Sequence, residues 1–496
     1  MGVGRESAIH RRTNQGGRTA GIGLSLLIAA STAVATSAPA HAASIVVTTT
    51  EDPALTSTSC PAAANPCSLR AAVAAANAAG GANAISFAVN GVFKVTAAAG
   101  GQINIGDQVT IAGNGKANTI LDGQGEDHRI LETGFGSVAL SDLTIRNAHG
   151  LRGIQDSGAG ILAIGGLTLT RVAVANNTVD ANNSNTGGFG GGGVLAEGPL
   201  TIVDSSITGN TLNFDVTGRA NAFAGGAGVL YDSFGSSSGA PVSVVIRNSL
   251  VSGNTVNFVG AGGGGLSGGG AGVFLEGAFS HLTTMTVDST TMSGNQVLDH
   301  STGGTFLITG GGMVADSAQS ISVTNSTFDG NAAVSDLGPA TGGGIGIGAP
   351  GATLTNVTIS GNTAAAGSGL YVEQAPTRLR STILSSSSAS GCATAFGGTI
   401  VSIGDNLDNG TSCGFNQPSD QNGVDPLLGP LQDNGGPTPT RALLFGSPAI
   451  DAVATSDCPP PTVDQRGVSR PQGPRCDIGA VEMQHRKARG GHATPA

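Results

Sequence analysis

The sequence predicts an all-β protein, a right-handed, single-stranded parallel β-helix, on three observations. A phrase rich in glycine and asparagine recurs and closes at Asn177, Asn210, Asn254, Asn295, Asn331 and Asn362, with successive spacings of 33, 44, 41, 36 and 31 residues. Those are the periods of a repeat array. Aligned on that asparagine, the copies keep two apolar columns: Leu169, Ile202, Ile246, Val287, Val323 and Leu354 eight residues earlier, and Val174, Ile207, Val251, Met292, Phe328 and Ile359 three residues earlier. Between them, six residues earlier, stand the polar Arg171, Asp204, Asn248, Ser289, Asn325 and Asn356. The apolar columns are an odd number of residues apart, so one alternating strand cannot point both inward, and the chain turns a corner at the polar column. Strand, corner, short strand and Gly-Asn turn make one coil, and coils stack column on column. Parallel crossovers favour the right hand.

Taken in chain order, residues 1–42 read as a signal peptide: Arg5, Arg11, Arg12 and Arg18, an apolar run from Ile22 to Val34, and Ala40-His41-Ala42. No later segment is long and apolar enough to span a bilayer. Removing the leader removes four arginines and one glutamate, which takes the formal charge from -10 to -13. An acidic body argues against nucleic acid and anionic lipid as partners. With 82 glycines but 21 prolines and no Gly-X-Y period, the chain is neither collagen nor disordered.

Residues 43–98 read as an N-terminal cap. Ser68 is placed to cap a helix whose face is Leu69, Val73 and Ala76, and Gly80 to end it. Such a helix covers the exposed edge of a first coil. The repeats occupy 99–390, a C-terminal domain 391–484, and a basic tail 485–496. The six cysteines fall into neighbouring pairs, Cys60 with Cys67, Cys392 with Cys413, and Cys458 with Cys476. Six cysteines allow 15 connectivities, and export favours disulfides over metal ligation.

Cys67-Ser68-Leu69-Arg70-Ala71-Ala72-Val73 resembles the CSLREA motif found near the start of exported bacterial β-helix proteins, with Ala71 where the motif has glutamate. Phe328-Asp329-Gly330-Asn331 and Gly225-Gly226-Ala227-Gly228-Val229 resemble repeats of the polymorphic outer-membrane protein family, and the expected solenoid is pectate-lyase-like. That resemblance implies surface display and adhesion. From Gly429 to Glu482 the segments Gly446-Ser447-Pro448-Ala449-Ile450-Asp451, Asp464-Gln465-Arg466-Gly467 and Cys476-Asp477-Ile478-Gly479-Ala480 closely resemble a choice-of-anchor Q domain.

Candidate chemistry gathers in the early coils as Asp122, Glu126, Asp127, His128, Arg129, Arg146, His149 and Arg152. Asp122 and Arg146 stand in similar contexts, Ile120-Leu121-Asp122 and Thr144-Ile145-Arg146, so they stack on adjacent coils. A carboxylate, an arginine and a histidine on one face suit proton abstraction beside a uronate or protonation of a glycosidic oxygen. The simpler account is an exposed Asp-Arg rung. Trp is absent and no Asp-Asp pair occurs, against a polyuronate cleft. No glycine cluster ends in Gly-Lys-Ser or Gly-Lys-Thr, against a phosphate loop. The asparagine column reads as a structural ladder. Asp464, Arg466, Arg470, Asp477 and Glu482 read as a charge network pinning a closing cap.

The expectation is a monomeric, secreted or cell-surface protein without cofactor or metal, meeting glycan, matrix or cell surface through the variable loops 182–188, 217–223 and 298–304. The alternative is a polysaccharide lyase or glycoside hydrolase working through Asp122, Arg146 and His149, for which Ca2+ would bridge an acidic substrate.

Overall fold

The computed structural model describes residues 43–484, apart from 56–59, 61–65, 151–157, 182–187, 218–220, 233–240, 262–264, 277–282, 304, 317, 350 and 460. The expected leader and basic tail, Arg152 and parts of all three variable loops lie outside the described residues. The chain is a parallel β-helix. Three long parallel sheets form its walls. The first wall has twelve strands, from Ser44–Val47 to Thr399–Gly404; the second has twelve, from Gly91–Lys94 to Gln421–Asn422; the third has ten, from Ile103–Ile105 to Cys392–Ala395. Two shorter sheets widen the middle coils: a six-stranded one beginning at His149–Gly150 and a four-stranded one beginning at Gly188–Gly190. One full coil runs Leu200–Val203, Ser206–Thr208, Thr211–Asp215, Asn221–Gly225 and Val229–Asp232 before the first wall resumes at Val242–Arg247.

The aligned columns stack as the repeat spacing requires. Leu169, Ile202, Ile246, Val287, Val323 and Leu354 pair in register and are fully buried. The corner between first and second walls is made by the polar column: Arg171, Asp204, Asn248, Ser289, Asn325 and Asn356 all have φ between 44° and 54°. Left-handed backbone disfavours branched apolar side chains, which explains why this column stays polar and is richest in Asn. The residue before each ladder asparagine takes the same conformation, φ 61° to 64° at Gly209, Gly253, Gly294, Gly330 and Gly361, with Asn176 at 55°.

The asparagines form a continuous buried ladder. Each Nδ2 donates to the Oδ1 of the next coil's asparagine at 2.8–2.9 Å, from Asn177 through Asn362. Each backbone N–H donates to the same oxygen. The ladder also accounts for the glycine clusters. At Gly228 a Cβ would sit 3.0 Å from the Asn254 amide, so bare backbone is what lets the ladder pass. A second ladder at the corner links Ser205, Ser249, Thr290 and Ser326 through backbone N–H to hydroxyl bonds.

The helix Leu69–Ala79 buries Leu69, Ala72, Val73 and Ala76, with the Ser68 hydroxyl accepting from the Ala71 N–H and Gly80 closing it at φ 64°. It lies where the third wall's first strand, Ile103–Ile105, presents a free edge. Asn77 donates to the Asn104 carbonyl at 2.8 Å and accepts from the Gly106 N–H at 2.9 Å. Arg70 donates to the Gly101 and Gln102 carbonyls while its guanidinium forks onto Asp52. Helix side chains thus take the hydrogen bonds that another strand would have made.

Parallel pairing runs past residue 390, through Cys392–Ala395, Thr399–Gly404, Leu407–Asp408 and Gln421–Asn422. The cysteines pair as neighbours: Cys60–Cys67, Cys392–Cys413 and Cys458–Cys476. The segment after residue 426 folds back along the flank of the solenoid, on the outer side of the second wall. Thr291, Thr327 and Thr358, in register on successive coils, receive it. Thr291 donates to the Pro439 carbonyl and accepts from Gln465, Thr327 donates to Gln465, and Thr358 accepts from the Ala480 N–H. Beneath it Arg470 and Glu482 pair at 3.0 Å, both 1% exposed, and Arg466 pairs with Asp464 at 2.7 Å.

Candidate functional site

Asp122 ends the strand Thr119–Asp122 of the second wall and pairs in register with Arg146, which ends Thr144–Arg146 one coil on. Next to it, a Cβ at Gly123 would lie 2.8 Å from the Asn147 carbonyl oxygen, so glycine lets these two turns nest. The Arg146 Nε donates to Asp122 Oδ2 at 2.7 Å, and Asn147 Nδ2 donates to the same oxygen at 3.1 Å. The other oxygen accepts from the backbone N–H and side-chain amide of Gln124, both at 2.9 Å. Burial pushes the Asp122 carboxyl up, but its bonds to Arg146, Gln124 and Asn147 outweigh that and hold it below its ordinary value. Asp122 is a saturated anion, poorly suited to take a proton.

His149 opens the six-stranded sheet. Its Nδ1 meets Asp127 Oδ1 at 2.7 Å and its Nε2 meets Asp180 Oδ2 at 2.9 Å. Burial lowers its pKa, but the bonds and charges of Asp180 and Asp127 together outweigh burial, so the net shift is upward. With a carboxylate on each nitrogen the ring donates from both sides as an imidazolium. The row continues outward: Asn213 donates to Asp180 and Asn257 to Asn213, each at 2.8 Å. Asp122 and His149 line one open depression of about 530 Å³ with Gln124, Asn147, Asn176 and Thr178. Arg146 lies beside it, on Asp122.

The rest of the expected cluster divides. Asp127 joins His149; Arg129 donates to Glu132, Gln102 and the Gly158 carbonyl; His128 turns inward and lines a separate pocket. Among the described residues no group of three or more His, Cys, Asp or Glu side chains is placed to hold a metal ion, and no helix is long and apolar enough to cross a membrane.

One row of ionisable residues escaped the sequence reading. Asp232 and Glu276 end the third-wall strands of two successive coils in direct register, and Glu197 and Asp316 directly follow those of the coils on either side. Burial, then the neighbouring Asp232 and Asp316, pushes the Glu276 carboxyl up to about 8. Glu197 is raised by burial and Asp232. The signal was present: each acid stands four residues after a glycine, in Gly193-Val-Leu-Ala-Glu197, Gly228-Val-Leu-Tyr-Asp232, Gly272-Val-Phe-Leu-Glu276 and Gly312-Met-Val-Ala-Asp316. Alignment on the asparagines, across loops of unequal length, hides it.

No protein-family model matches the chain, and no curated protein or solved structure matches it.

Proposed function

We propose that this chain is a secreted or cell-surface solenoid that acts by binding glycan, matrix or another surface, and not by turnover. The observation that carries the reading is the saturation of the candidate catalytic groups: both oxygens of Asp122 and both ring nitrogens of His149 are consumed by bonds within the protein. A general base needs a lone pair within reach of the substrate proton. Three disulfides support an oxidising compartment and thus export. Rigid coils carrying variable loops suit recognition, because loops can change while the columns stay in register.

The test is a polysaccharide panel, including polyuronates, with and without calcium, read both for new chain ends and for retention of the protein. The expected result is retention on at least one glycan or cell-surface preparation with no new ends. Release of ends that disappears in Asp122→Ala or Arg146→Ala would establish the lyase or hydrolase reading instead.

A further inference from the structure

We propose that the pocket beside His128 binds a neutral, hydroxyl-rich ligand, a saccharide unit, with the lone pair of His128 Nε2 as its buried acceptor. The proposal rests on the binding reading above and names its ligand class. The pocket, about 510 Å³, lies at the start of the third wall, at the edge of the six-stranded sheet, and is lined by Gly101, Gln102, Asn104, Asp127, His128 and Arg129 among others. That volume is in the range of small-molecule sites.

His128 is 6% exposed. Its Nδ1 lies 2.9 Å from the Arg129 carbonyl oxygen. A carbonyl only accepts, so Nδ1 is the donor, and on the neutral form of the ring Nε2 is then an acceptor. Among the described residues this buried Nε2 has no hydrogen-bond partner. The Glu126 carboxylate is 3.6 Å away and is itself an acceptor. An orphaned buried acceptor calls for a donor supplied from outside. The surroundings choose which donor. Asn104 Oδ1 accepts from Gln102, the Arg129 guanidinium is already bound to Glu132 and Gln102, and Asp127 and the nearby Glu126 supply carboxylates. Such a lining favours O–H groups and opposes the carboxylate of a uronate. A Cβ at Gly101 would approach His128 Cβ to 3.3 Å, so glycine there keeps the space beside the ring open.

The experiment is ligand-detected NMR and titration calorimetry on the purified full chain. Glucose, galactose, mannose and cellobiose are the probes, with galacturonate and glucosamine as charged comparators. At least one neutral sugar is expected to bind saturably in the millimolar range. His128→Phe and, independently, the exposed-site variant Asn104→Ala are expected to weaken it fivefold or more with unchanged melting curves. The proposal is overturned if no neutral sugar binds, if galacturonate or glucosamine binds better, or if affinity survives both substitutions. Retention on a glycan surface that persists in His128→Phe would sink the pocket and leave the binding reading standing. Release of new chain ends would sink that reading without touching the sugar titration.

Discussion

At the scale of single residues, the chain's polarity pattern is set by backbone conformation as much as by solvent. The polar corner column is polar because φ is positive there, not because every member is exposed: Asn325 and Asn356 are fully buried while Arg171 and Asp204 are not. Within the asparagine ladder, Asn254→Ala would leave the Asn210 N–H without its acceptor, remove one of the two bonds of the Asn210 amide and take a donor from the Ile207 carbonyl. We expect a loss of about 2 to 4 kcal/mol, read as a lowered urea midpoint. Glu276 gives a pH test. Its folded pKa, about 8, exceeds its ordinary value of 4.5, so stability present below pH 4.5 is lost progressively as pH rises towards 8. Glu276→Gln mimics the protonated form. It should match the parent near pH 4.5 and exceed it near pH 8, by roughly 2 to 4 kcal/mol, in melts at the two pH values.

At the scale of elements, the N-terminal helix shows how a local signal acquires a tertiary task. Its start, apolar face and end follow from Ser68, the Leu69-Val73-Ala76 spacing and Gly80, all local in sequence. Its service to the sheet edge, through Arg70 and Asn77, depends on carbonyls about 30 residues away, and nothing local announces them. Ser68→Ala should cost about 1 kcal/mol. Arg70→Ala, which leaves buried Asp52 without its partner, should cost about 3 to 5 kcal/mol. Chemical denaturation of both variants separates the cap from the edge contact. A result for Arg70→Ala no larger than for Ser68→Ala would mean the edge is held by packing alone.

At the scale of the whole molecule, the C-terminal segment is a flank clamp, seated on three threonines of the second wall. The corresponding positions in earlier coils are Thr144, Ala173, Ser206 and Leu250, and they are only partly buried. The unbroken run of Thr291, Thr327 and Thr358 is visible in the sequence once the contact is known. Glu482→Ala would leave Arg470 buried without its carboxylate and should cost about 3 to 5 kcal/mol. Because coils contact chiefly their neighbours, the loss should appear as faster hydrogen exchange across 427–484 while the early coils stay protected. Uniform acceleration along the chain would show that clamp and solenoid unfold together.

Period, apolar columns and the corner at the polar column were legible from the sequence because each coil repeats the same local demands, and repetition turns weak preferences into columns. The neighbouring cysteine pairs were nearest in sequence and paired that way. Which side of a coil faces which partner was not legible, because it depends on loop lengths that shift one coil's residues against the next. The stacking of Asp122 on Arg146 was readable from matching contexts. The saturation of Asp122 by Gln124 and Asn147, the capture of His149 between Asp127 and Asp180, and the orphaned nitrogen of His128 were decided only when the early coils nested. Hydrogen-bond completion is a property of three-dimensional neighbours, so in one dimension the same residues fit a plain Asp-Arg rung with catalysis as the alternative, and in three they are a bonded scaffold beside an open pocket.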